Sequence, residues 1–111
     1  MSKSSSRIPA PAVAPVVLGK VRYEQVRNGL QAGFEQMGGY LAAYDVASDV
    51  RLWTLKVYDN PRQPEKEGDV QDVFFKSMQA TSVGTLLIEN ERGARFDVDP
   101  VTRSVTAVTA P

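Results

Sequence analysis

Between Gly38 and Asp59 the side chains fall into two sets that take turns along the chain, and this leaves the backbone little choice. Tyr40, Ala42, Tyr44 and Val46 alternate with Leu41, Ala43 and Asp45; after a polar turn, Trp53, Leu55 and Val57 alternate with Thr54, Lys56 and Tyr58. A period of two, in runs rich in aromatic and β-branched residues, sends neighbouring side chains to opposite faces of a sheet. The turn between the runs has suitable chemistry. Asp45 can accept hydrogen bonds from the N–H groups ahead of it, Ser48 can do so more weakly, and Asp49 tolerates a left-handed backbone. The stretch reads as a β-hairpin.

The rest of the chain is arranged on either side of it. Residues 1–16, Ser-rich and then Pro/Ala-rich, have too little apolar surface to repay ordering, so a disordered tail is expected there. A single β domain is expected over residues 17–111. Val17 to Asn28 reads as a strand with Val21 and Tyr23 on one face. Tyr23, Val26, Leu30, Phe34 and Met37 also stand at helical spacing, but Gly29 and Gly33 would each cost a helix about 1 kcal/mol relative to Ala. The preferred reading is a strand to about residue 27 and then a glycine-punctuated loop up to Gly39. The stretch from Asn60 to Asp69, with two prolines and a mixed charge cluster, reads as an exposed loop. Strands are expected over Val70–Gln79, Thr85–Glu89, Ala94–Val98 and Ser104–Val108, with turns at Ser82-Val83-Gly84 and Arg92-Gly93. The spacing Asp45-x-x-Ser48 returns as Asp99-x-x-Thr102, each time between an alternating run and a following strand. One kind of strand–turn–strand joint is used twice. The pattern predicts an all-β fold of six to seven antiparallel strands in a meander, either a two-sheet sandwich or a curled, barrel-like sheet.

Composition removes whole classes of function. The chain has no Cys and no His, which excludes disulfides, zinc fingers, iron–sulfur clusters, haem ligation by His and every nucleophile system built on those residues. Lys plus Arg is 13 and Asp plus Glu is 13, so the basic surplus expected of a phosphate-neutralising protein is missing, and nucleic acid is not an expected partner. No run approaches the ~18 apolar residues of a membrane-spanning helix, and Pro9, Pro11 and Pro15 make a poor signal-peptide core. A cytoplasmic protein without membrane contact is expected.

The segment Leu41-Ala42-Ala43-Tyr44-Asp45-Val46-Ala47-Ser48-Asp49, followed by Leu52-Trp53, resembles the outer half of a blade in quinoprotein-type (PQQ) β-propellers. Those repeats run small-apolar, Asp, two residues, Ser or Thr, Gly and then a Trp that wedges between blades. Here Asp49 stands at the Gly position. Phe96 to Val105 resembles the same pattern more weakly and lacks the Trp. Six or more blades close such a ring and this chain has material for two at most, so quinone binding is not carried over and no cofactor is expected. The core as a whole also resembles small uncharacterised bacterial proteins, which implies a bacterial source and no activity.

Carboxylates are the only candidate acids and bases. Asp97 and Asp99 share a strand face beside Arg95, but a glycosidase needs two carboxylates set across a cleft. The Asp45–Asp49 turn lacks the central Gly and terminal Glu of an EF-hand loop, and Gly38-Gly39 lacks the frame of a phosphate loop. No metal site and no enzyme activity are expected. Trp53, Tyr40, Tyr44, Phe74, Phe75 and Phe96 are read as core. Phe34 and Met37 sit among glycines with no strand face to hide them, and Tyr58 is expected on the face opposite Trp53, beside the charged loop that holds Arg62. With Gln36, these residues form the expected binding surface for a protein partner or a second copy of the chain, because adaptable Met and aromatic anchors are enriched at interfaces. A module that holds a small polar ligand in the 28–39 loop is the alternative.

Overall fold

The computed structural model describes residues 13–59 and 72–108. The expected tail through residue 16 lies outside them up to residue 12, as do Arg62 and the expected loop from Asn60 to Asp69. Among the described residues there is no helix. Eight strands run in chain order: β1 Val16–Leu18, β2 Val21–Val26, β3 Tyr40–Asp45, β4 Arg51–Lys56, β5 Phe75–Ala80, β6 Leu86–Asn90, β7 Arg95–Asp99 and β8 Ser104–Val108. They make two four-stranded antiparallel sheets, ordered β1-β2-β3-β4 and β5-β6-β7-β8, and neither closes into a barrel. The count exceeds the expected six to seven because the first expected strand is two. Gly19 takes a left-handed φ of 63°, which lets Gly19-Lys20 fold Val16–Leu18 back onto Val21–Tyr23.

Each sheet is a meander of three hairpins, and the last hairpin of each has the same joint. Asp49 N–H donates to the Asp45 carbonyl (2.7 Å) and Arg103 N–H to the Asp99 carbonyl (2.7 Å). Asp49 and Arg103 both sit at φ 60°. The Asp45 carboxylate accepts from the N–H (2.8 Å) and hydroxyl (2.7 Å) of Ser48, while Asp99 accepts from the N–H of Val101 (2.9 Å) and of Thr102 (3.4 Å). The repeated spacing in the sequence is therefore a repeated turn.

Both sheets turn one face to a shared core. Tyr23, Leu41, Ala43 and Val57 come from the first sheet's side and Phe75, Met78, Leu86, Ile88 and Val98 from the second. Register explains the set: Tyr23, Ala43 and Trp53 lie in one cross-strand row, and Ala80, Leu86, Val98 and Val105 in another. Full burial of a Leu, Ile or Phe side chain contributes roughly 1.5–3 kcal/mol. Trp53 is half-buried against this core, because β4 is an edge strand; its ring lies 5.9 Å from that of Tyr23 and beneath the Arg103 guanidinium at 5.8 Å.

Candidate functional site

The 28–39 loop begins where β2 ends. Asn28 accepts from Gln31 N–H with its side chain (2.9 Å) and from Ala32 N–H with its carbonyl (3.2 Å), one helical turn that goes no further. Gly29 N–H then closes the loop on the Met37 carbonyl at 2.8 Å. A Cβ on Gly29 would collide with the Gln36 carbonyl, so the loop's closure requires glycine there.

This loop lies against the body of the molecule. Phe34 is half-buried, its ring 4.6 Å from the ring of the buried Tyr40 on the outer side of the first sheet, and Met37 is half-buried as well. The sheet's outer surface gives Phe34 the cover that strand alternation did not reveal. Gln36 is only 2 % exposed; its Nε2 donates to the carbonyls of Gly38 (2.8 Å) and Tyr58 (2.8 Å). The expectation that Tyr58 faces away from the core is corrected. β4 ends at Lys56, the alternation ends with it, and the Tyr58 ring swings between the sheets to stack on Phe96 at 5.2 Å, with Phe75 at 6.1 Å. Its Oη donates to the Val73 carbonyl (2.7 Å). Burial first, and the nearby Glu91 charge second, push the Tyr58 phenol well above its ordinary value.

These residues form a joint between the sheets. Phe75 N–H donates to Gln25 Oε1 (2.7 Å), Phe74 N–H to Glu91 Oε1 (3.0 Å) and Glu91 N–H to the Phe74 carbonyl (3.0 Å). The lead into β5 is thus gripped from the first sheet by Gln25 and Tyr58 and from the second by Glu91. A Cβ on Gly38 would overlap the Val73 carbonyl, so only glycine permits this approach. Gln36 and Tyr58 of the expected binding set are brought together as internal ties, Gln36 within the first sheet's side and Tyr58 across to Val73; Phe34 packs on Tyr40. Sequence reasoning missed Gln25 and Glu91, whose backbone partners lie far along the chain.

Among the described residues, Leu30 is an exposed large apolar side chain within the 28–39 loop, Val17 is exposed in β1 and Val83 in the β5–β6 turn; the others lie in two hairpins. Val46, Val50 (57 % exposed) and Leu52 (49 %) belong to the β3–β4 hairpin, and Val101 (87 %) and Val108 to the β7–β8 hairpin. Leu52 is the extra residue of a bulge, since Ala43 pairs with Trp53 but Tyr44 with Arg51. Arg22 ties this side down: it bridges Glu24 and Asp49 (2.6 Å to the latter), with its guanidinium 4.9 Å from the Tyr44 ring. Hydrogen bonds from the Ser48 hydroxyl and N–H hold the Asp45 carboxyl below its ordinary range.

Asp97 and Asp99 hold separate positions on β7. Asp99 is committed to its turn, and Asp97 lies between Leu87 and Thr106 on the outer face of the second sheet. A shallow depression of about 260 Å³ on that face is lined by Ser77, Gln79, Leu87, Glu89 and Arg95. No His/Cys/Asp/Glu cluster suited to a metal occurs among the described residues, and no helix there is long and apolar enough to cross a membrane. No family model matches the chain, and neither a curated protein nor a solved structure matches it significantly.

Proposed function

We propose that the chain is a non-enzymatic bacterial protein that works by binding another protein or a second copy of itself, through its open sheet edges. The observation that carries this reading is the contrast between the four edges. β1 has three residues, and β5 starts with a bulge that sets Lys76 out of register. β4 and β8 are longer than β1, and the exposed apolar residues Val50, Leu52, Val101 and Val108 lie in them or in the turns that lead into them; Val17 is exposed in β1 and Val83 in the turn after β5. An edge strand presents unpaired N–H and C=O groups, so a partner strand gains main-chain hydrogen bonds at once and specificity from alternate side chains. The 28–39 loop contributes where Gly38 lies against Val73, at the joint that fixes the mutual position of the edges.

The test is affinity capture with the wild-type chain against a Leu52→Lys plus Thr106→Lys variant, both shown to be folded by circular dichroism. The expected result is a partner, or a second copy, held in stoichiometric amount by the wild type and lost from the variant. Equal recovery on both would overturn the reading.

A further inference from the structure

β8 has none of the devices that keep an edge strand from pairing. Its residues, Ser104, Val105, Thr106, Ala107 and Val108, carry no charge and no proline, and it pairs with β7 in unbroken register along its length. Four of the five are exposed. Natural edges are blunted with lysine, proline, bulges or short length; β1, β4 and β5 each show at least one of these and β8 shows none.

We infer that β8 pairs with β8 of a second copy, antiparallel about a two-fold axis at Thr106, making one continuous eight-stranded sheet across the dimer. This rests on the edge-binding reading above and names the partner. The sequence of β8 complements itself in that arrangement. Overlap of all five residues places Ser104 opposite the second copy's Val108, Val105 opposite Ala107 and Thr106 opposite Thr106. The Thr–Thr pair at the axis is a favourable cross-strand match, and no like charges meet. Val105 already packs on the core, so the pairing continues the apolar layer across the axis, with Ala107 beside it. β4 fails the same test: its antiparallel self-pairing sets Arg51 against Lys56 at both ends. The contact is therefore closed and isologous, giving dimers without filaments. Five paired residues bury less than the ~1,200 Å² of a stable interface, so the dimer is weak and depends on concentration.

Sedimentation velocity on the full chain over a wide concentration series tests this. The expected result is a monomer–dimer equilibrium that Thr106→Lys weakens about tenfold, since two lysines then face each other at the axis. Leu52→Lys on β4 should leave it unchanged. Thr106→Lys mixed with Thr106→Glu should regain association as a mixed pair, a rescue that a folding defect cannot imitate. A wild type that stays monomeric throughout, or association lost with Leu52→Lys and kept with Thr106→Lys, would overturn β8 self-pairing. Capture of a different protein that is lost with Thr106→Lys would then leave the broader edge-binding reading standing.

Discussion

Replacing Gln36 with methionine separates a residue that ties the fold from one that waits for a partner. The two side chains are close in length and volume, so the change removes the amide and leaves little cavity. What is lost is two donated hydrogen bonds of 2.8 Å, to the carbonyls of Gly38 and Tyr58, from a side chain only 2 % exposed. A neutral hydrogen bond contributes about 1 kcal/mol net, and a buried carbonyl left without its donor costs about 1–3 kcal/mol. The expected loss is therefore about 2–3 kcal/mol, a drop in Tm of roughly 10–15 °C for a domain this small. Thermal unfolding followed by circular dichroism, with urea titrations checking that the m-value is unchanged, measures it. Gln36→Glu should be worse at neutral pH, because a carboxylate would face two carbonyl oxygens. Its protonated form can still donate to one of them. The folded-state pKa of that glutamate would then be raised, so its stability deficit shrinks below about pH 4 and grows as pH rises. A Gln36→Met protein melting within about 2 °C of wild type would refute Gln36 as a tie between the loop and the residues after β4.

Three further outcomes follow from the same geometry. Gly38→Ala should cost about 3 kcal/mol or more, since the new Cβ meets the Val73 carbonyl, a backbone atom that cannot step aside, whereas Gly84→Ala, strained at φ 87° but with open space around it, should cost about 1–2 kcal/mol; urea midpoints in the reverse order would contradict this. Tyr58 and Tyr23 both have phenols pushed up by burial from the ordinary 10.0, so the folded state keeps its protons while the unfolded state sheds them, and their contribution to stability should be level below pH 10 and fall above it; a melting temperature flat from pH 9 to 11.5 would count against their burial. Trp53→Ala should cost about 2–3 kcal/mol, less than the ~3–5 of a fully buried aromatic, and wild-type emission should lie between buried and solvated indole; a fully solvated spectrum would remove Trp53 from the core margin.

Much of the fold was legible because its information is local. Alternation in Tyr40–Asp45 and Arg95–Asp99, and the Asp turns after them, depend on residues within five positions of one another. The division of the first strand at Gly19 was hidden, since Val17 to Val26 keeps its alternating character through a two-residue turn. The place of the 28–39 loop was hidden for another reason. Gln36 reaches Tyr58 across 22 positions and Gln25 reaches Phe75 across 50, and no periodicity encodes such meetings. Glycines were the available clue: Gly29 and Gly38 mark close backbone approaches, but a sequence does not say what approaches.

No strand passes from one sheet to the other. Residues 13–59 complete the first sheet and residues 72–108 the second, so every ladder pairs strands adjacent in the chain. Each half can therefore form its own ladders from local contacts, the kind that assemble fast. Neither half can finish alone, because its apolar face fits only the other's. The peptide link between the halves raises their local concentration and is not needed for topology. The two pieces, expressed as separate polypeptides divided between residues 59 and 72, should find each other and restore the fold by complementation, with Gln25 and Tyr58 as ties that recognise the second piece.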